Sequence, residues 1–286
     1  MTDNQNIRAM VRGAYDIQKL RIQAGNRIVA NFKARLGQKP SEKEDTLDSE
    51  GKLVLVNIRA RYKKLTDGVK TFPRKGSFKG DELISTYTEL CLVAQYSDLE
   101  REEDSLFRRL KAVLEDFSVY TEFLEPVKGI GAALAGVIIS EIDITKAKYP
   151  SSLWAYAGLD VSNGSGRSRK AEHLRENEYI TSDGEVKTKK GITFNPFLKT
   201  KLIGVLGSSF LRAGENKYSK IYYDYKNRLE NNPKHIEKSK GHRHNMAIRY
   251  MVKMFLLDLH IEWRRLEGLP VSKSYQEEKL GHKHAA

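Results

Sequence analysis

The run from Ala132 to Ile142, AALAGVIISEI, is apolar on nearly every side of a helix. A surface helix carries one apolar stripe, whereas a helix without a polar face has to be buried all round. The run therefore predicts a central helix that other elements must wrap, and with it a helical core. Directly before it stands Lys128-Gly129-Ile130-Gly131. The two glycines permit a sharp turn, positive φ angles and the close approach of another backbone. A helix starting near Ala132 leaves its first N–H groups unpaired and pointing outwards. Such an end suits phosphate, and it contacts backbone rather than bases. In this reading Val127 and Ile130 anchor the turn, and Lys128, Gly129, Ile130, Gly131 and Ala132 form a backbone grip. A plain tight turn between two helices is the simpler alternative.

Charge sharpens the reading. The 286 residues carry a net charge of +13, unevenly divided. Residues 1–125 hold 22 Lys+Arg against 20 Asp+Glu, and residues 126–286 hold 28 against 17. A basic half joined to a nearly neutral one points to a polyanion-binding domain beside a scaffold. A solvated basic surface is the alternative. The 40% hydrophobic content excludes a disordered chain. No stretch approaches the ~18 apolar residues of a membrane span. The first residues lack an apolar signal core, so a cytoplasmic protein with no membrane partner is expected. Cys91 is alone, which excludes an internal disulfide framework and a cysteine-based zinc cluster.

Residues 7–36 predict a helix with a stripe of Met10, Ala14, Ile17, Leu20, Ala24, Ile28, Phe32 and Leu36. Residues 37–50 predict a loop. The segment 52–65 has a strand-like start, LVLV, and a basic second half; helix is preferred. Residues 67–80, with Gly68, Pro73, Gly76 and Gly80, predict a linker. From Asp81 to about Tyr120 two helical stripes differ in phase, with SDLEREEDS between them, too charged to be buried. Either one long helix changes face there, or two helices form a hairpin. The sum is a helical bundle or coiled-coil arm over 1–122, which packs as core or joins copies of the chain into a homo-oligomer. Further on, Ser182-Asp183-Gly184 predicts the turn of one small β-hairpin. Helices follow over about 195–214, with Asn195 as cap, then up to Pro233, and finally over about 245–267. On the last helix Arg249, Lys253, His260 and Arg264 form a cationic row suited to phosphate contact, or to solvent. His242, Arg243 and His244 precede it and extend the phosphate-binding set. Residues 269–286 predict a tail.

Between these lie Trp154-Ala155-Tyr156-Ala157-Gly158-Leu159, the Ser/Gly loop Ser162-Asn163-Gly164-Ser165-Gly166, and the cations Arg167, Arg169 and Lys170. The glycine turn with the apolar helix behind it resembles a helix-hairpin-helix, a module for sequence-independent DNA contact. The ordered series of glycine turn, YAGL segment, Ser-Gly loop, KKGITFNPFLKTKLIG and a final long helix resembles more. It is similar to the C-terminal transposase domain of the insertion-sequence-110 class, grouped with 116 and 902, over roughly residues 123–268. The resemblance implies a DNA-binding protein of mobile-element type, acting in transposition or recombination. It also implies that Ser165 is the nucleophile that joins to DNA, with Ser162, three residues earlier, as runner-up. A serine hydroxyl can attack a phosphodiester if its proton leaves and cations meet the charge on phosphorus. A loop that only touches phosphate is the alternative.

The sequence departs from the family in its first half. Members carry an N-terminal RNase-H-like domain whose carboxylates bind divalent metal, yet residues 1–125 read as helices, with Asn57 where an acid is wanted. No metal and no cofactor is therefore expected, and an RNA or a partner protein in place of that domain stays open. His242/His244 and His282/His284 repeat a His-x-His spacing without accompanying Cys, so phosphate contact is the better reading for the first pair. Tyr218, Tyr222, Tyr223 and Tyr225 could stack on bases, but helical spacing assigns most of them to the core. The expected fold is mainly α: a helical arm, then a helix-hairpin-helix-containing, transposase-like domain with one small β-hairpin. A structural assembly protein with incidental DNA binding is the remaining alternative.

Overall fold

A computed structural model of the chain describes residues 3–38, 47–69 and 71–271. Most of the expected 37–50 loop, most of the expected tail, and His282 and His284 lie outside these residues. The protein is mainly helical. It divides into two compact units, residues 9–109 and residues 1–8 with 110–286.

The first unit is built from α1 (Asp3–Arg35), α2 (Ser49–Thr66) and α3 (Tyr87–Leu114). Asp48 caps α2, its carboxylate accepting the Gly51 N–H, so the ambiguous LVLV segment is helical. Ala24, Ile28, Ile58, Ile84, Leu90 and Val93 form the core. Of the expected stripe on α1, Ala14, Ala24 and Ile28 are buried, with Val11 and Val29 beside them, while Leu20 is exposed. Gln18 and Arg21 occupy the inward face and both bond Glu103, Gln18 Nε2 at 2.8 Å. Glu103 lies in SDLEREEDS, which is therefore not wholly solvated. α3 runs unbroken through that stretch, and Glu103 is 7% exposed within it.

The second unit begins with the π-helical turn Tyr120–Leu124 and α4 (Ala132–Glu141). Every residue of α4 from Leu134 onwards is buried, as its sequence requires. Then come α5 (Pro150–Tyr156), the short strands β1 (Val161–Ser162) and β2 (Ser165–Gly166), and the hairpin of β3 (Arg175–Ile180) and β4 (Val186–Gly191). α6 (Pro196–Thr200) continues through a π-helical stretch, Lys201–Leu206, into α7 (Gly207–Arg212). Last are α8 (Lys217–Glu230), α9 (Pro233–Ile236) and α10 (Lys240–Leu266). The two antiparallel pairs, β1–β2 and β3–β4, form separate two-stranded sheets. Among the described residues, no helix is long and apolar enough to cross a membrane.

α10 is the axis of this unit, packing against α5, α7 and α8. Phe255 meets Phe210 at 5.5 Å between ring centroids, and Phe210 stacks on Tyr218 at 4.6 Å. The helix starts five residues before the expected Asn245, because Ser239 caps it by accepting the His242 N–H. The expected cationic row divides. His260 and Arg264 are buried and bond the Ala147 carbonyl, Arg264 also that of Ile144. They hold the loop after α4, so only Arg249 and Lys253 remain for a ligand.

A candidate anion-binding cleft beside Ser165

Asn163 and Gly164 have φ of 50° and 74°. Two left-handed residues in succession make the two-residue turn whose twist suits a β-hairpin, and Asn-Gly is its strongest sequence signal. The Ser/Gly loop of the sequence reading is therefore ordered. Ser162 and Ser165 are direct cross-strand partners. Paired residues share a face of the ribbon, so both serines address the same side.

Behind them lies His173, buried at 3% exposure and absent from the residues singled out by sequence. Its Nδ1 accepts the backbone N–H of Ser168 at 3.0 Å. A backbone N–H can only donate, so Nδ1 carries no proton and the neutral ring holds its proton on Nε2. Nε2 faces the Ser162 carbonyl at 3.1 Å and Ser165 Oγ at 3.2 Å. The carbonyl can only accept, which fixes Nε2–H as a donor on this side. In this arrangement the ring orients Ser165 and stabilises negative charge on its oxygen. It does not take the serine proton.

The cations directly after the loop are mostly engaged elsewhere. Arg167 donates to both oxygens of Asp160 and to Thr193 Oγ1, and its pKa is raised by the hydrogen bond to Asp160. Arg169 and Lys170 are exposed. The cations beside Ser165 come instead from α10. The Arg249 guanidinium lies against Gly166, where a Cβ would sit 2.0 Å from its Nη1. Lys253 Nζ sits 4.7 Å over the Trp154 ring, whose Nε1–H in turn donates to the Lys253 carbonyl. Together with Ser165, Gly166, Lys238 and His242 they line a cleft of about 880 Å³. Tyr225 and Tyr250, stacked at 4.1 Å between centroids, form another wall.

Among the described residues, no Asp or Glu lines this cleft. Burial pushes the pKa of both Arg249 and Lys253 down. Lys199, which donates to the Arg167 carbonyl, is pushed down to about 8, first by burial and then by Arg249. Asp160 is the carboxylate that offsets these groups, and it is already held by Arg167. The region holds more desolvated positive charge than it balances, and an incoming anion would relieve it.

The remaining residues of the sequence reading fall in different places. His242 lines the cleft. Arg243 does not project from the helix: its Nη1 donates to the Ile236 carbonyl at 2.9 Å and to that of Lys238, tying down the loop before α10. His244 pairs with the Tyr222 hydroxyl at 2.6 Å. Of the tyrosines, Tyr218 and Tyr222 are buried, while Tyr223 is 59% exposed.

The glycine turn lies apart from the cleft. Gly129 has φ 98°, and its carbonyl accepts the Ser209 hydroxyl at 2.6 Å. Ile130 is buried and Lys128 exposed, and the helix starts at Ala132, as expected. The Leu134 and Ala135 N–H groups reach the Gly131 carbonyl. Lys128 lines a second cleft, of about 650 Å³, with Lys217, Asp258 and Glu262. The two clefts lie towards opposite ends of α10, about 20 Å apart at ~1.5 Å per residue. Among the described residues, two carboxylates stand in the second cleft and none in the first. Comparison with known proteins adds no relative: no family model, no curated protein and no solved structure matches the chain.

Proposed function

We propose that this is a DNA-binding protein of mobile-element type, acting in transposition or recombination, and that it holds the phosphate backbone in the cleft beside Ser165. The observation that carries the reading is the lining of that cleft, free of acids among the described residues, with Arg249 and Lys253 desolvated and sharing Asp160 with Arg167. Phosphate supplies the missing charge, and its release of counterions makes the binding salt-dependent. Tyr225 and Tyr250 give a partly buried aromatic wall on which a splayed base can stack. The turn at Gly129–Gly131 and the exposed N-terminus of α4 serve as a second, sequence-independent contact of the helix-hairpin-helix kind. The ordered motifs over 123–268 support the transposase context.

A second reading adds catalysis, and the pairing of Ser165 with His173 favours it. Ser165 Oγ attacks phosphorus, forming a new P–O bond while the bond to the leaving sugar oxygen breaks. His173 Nε2–H steadies the attacking oxygen, Arg249 meets the charge on the phosphoryl group, and water relays the serine proton to the departing sugar oxygen, which leaves as a hydroxyl.

Titrating the protein with duplex and single-stranded DNA at rising salt tests the first reading. The Arg249→Ala/Lys253→Ala variant should bind about thirtyfold more weakly and lose about two units of salt slope. If the wild type fails to bind either DNA at low salt, the reading fails. Ser165→Ala should keep the affinity and abolish any covalent protein–DNA adduct; an adduct that persists in the variant excludes Ser165 as nucleophile.

A further inference from the structure

The hairpin β3–β4 has no packing role that accounts for it. All six residues of β3 are exposed, as are five of the six in β4. At ~3.3 Å per residue each strand is about 20 Å long. The ends close through Thr181–Glu185, where Gly184 at φ 80° supplies the left-handed residue. Cross-strand register assigns its two faces. Arg175 pairs with Gly191, Asn177 with Lys189 and Tyr179 with Lys187, and these share one face. Glu176 pairs with Lys190, Glu178 with Thr188 and Ile180 with Val186 on the other.

The two faces differ in chemistry. The first carries three cations, an amide and a phenol, and no carboxylate within the strands. Asn177 lies across Gly191, where a Cβ would meet its Nδ2 at 2.8 Å, which leaves that face flat at its base. Lys187 reaches Glu185 in the turn at 3.0 Å, a pair exposed at both ends and therefore weak. The second face carries two carboxylates, Glu176 and Glu178, against the single cation Lys190, and ends in apolar Ile180 and Val186. A two-stranded ribbon is one of the two elements that the ~12 Å major groove of B-form DNA admits.

We propose that β3–β4 is a groove-reading ribbon: its Arg175/Asn177/Tyr179/Lys187/Lys189 face enters the major groove of duplex DNA. This rests on the DNA-binding reading above and adds to it a second contact, to duplex and towards base edges. Arg175 and the lysines meet phosphates and guanine edges, and Asn177 has the donor and acceptor that an adenine edge requires. The A-form groove of duplex RNA is too deep and narrow for a ribbon, so the partner is DNA.

The test measures binding of the full chain to a 25-base-pair DNA duplex and to the RNA duplex of the same sequence. The variant is Arg175→Ala/Tyr179→Ala/Lys189→Ala, with Glu176→Ala/Thr188→Ala on the opposite face as control. All five side chains are exposed, so unfolding midpoints should match the wild type. The triple variant should bind duplex DNA about tenfold more weakly, and the control no more weakly than wild type. A major-groove ligand such as methyl green should compete with wild type, and netropsin in the minor groove should not. Wild-type affinity in the triple variant, with binding lost in Arg249→Ala/Lys253→Ala, overturns the ribbon and leaves the cleft standing. Equal affinity for duplex RNA, or competition by netropsin alone, overturns groove entry. A wild type that binds no DNA overturns both proposals.

Discussion

The arm unit and the Ser165 cleft use arginine in opposite ways. In residues 9–109 several arginines are answered from within. Arg21 meets Glu103, Arg59 meets Glu100, Arg61 meets Asp81, and Arg35 lies 3.5 Å from Glu89. Those pairs tie α1 and α2 to α3, and α2 to the segment at Asp81, and they are spent on the fold. Beside Ser165, Arg249 and Lys253 are half-buried, and the one carboxylate that acts on them, Asp160, is already paired with Arg167. Where charge is balanced inside the chain it builds structure. Where burial has stripped its solvent and the nearest carboxylate is already engaged, an anion from outside is the partner we propose. Near-neutrality in one half and strong positive charge in the other are the same contrast seen in composition.

The largest expected effect breaks the arm side of the contrast. Glu103 is buried and takes hydrogen bonds from Gln18 and Arg21. Removing it strands a desolvated guanidinium, so Glu103→Ala should cost the arm about 3 kcal/mol in urea unfolding. DNA affinity at low salt should stay within about twofold of wild type, because the arm's charges are not reserved for a ligand. A loss of affinity with no loss of stability would reverse the roles assigned to the two regions.

A smaller effect sharpens the cleft side. At Gly166 an added Cβ would fall 2.0 Å from Arg249 Nη1 and 2.7 Å from its Cζ. That guanidinium is the far end of a flexible side chain, so it moves aside at little cost. Gly166→Ala should therefore leave the unfolding midpoint unchanged. It should weaken DNA binding about fivefold, or ~1 kcal/mol. Unchanged affinity would mean that the guanidinium does not meet the ligand, and a collapsed midpoint would mean that it is part of the packing.

Much of this architecture was legible before the coordinates. Apolar periodicity located the helices, and the all-round apolar run from Ala132 located the buried one. What escaped is informative. On α1, Gln18 and Arg21 occupy inward positions beside the apolar stripe, and a hydrophobic pattern cannot register a buried polar pair whose partner lies 82 residues away. The same blindness assigned all of SDLEREEDS to solvent. In the cleft, Asn163-Gly164 was a readable hairpin signal that flanking serine and glycine disguised as a loose loop. His173 left no trace, since nothing in sequence marks a histidine that meets a serine eight residues earlier across a hairpin. The row on α10 was read as one face. Its upper members face the cleft and its lower members hold the Ile144–Ala147 loop, a difference that only packing decides.

The finest probe of the contrast is a titration. Lys199 has its pKa pushed down to about 8 by burial and by Arg249, from an ordinary value near 10.5. Between those two values the folded chain has released a proton that the unfolded chain still binds. Stability must therefore rise with pH across that window, and the penalty is fully present below about pH 8. Free protein should gain resistance to urea between about pH 8 and 10, and Lys199→Met, which keeps the contact with Phe194, should flatten that rise. DNA should work in the opposite direction. A phosphate in the cleft stabilises charged Lys199, so binding takes up a fraction of a proton near pH 8.5 and weakens as pH climbs through the window. Calorimetry in buffers of different ionisation enthalpy reads that uptake directly. A flat stability profile, or a rise that survives in Lys199→Met, would mean that the cations around Asp160 are at ease with one another, and the distinction between a balanced arm and an unbalanced cleft would lose its electrostatic basis.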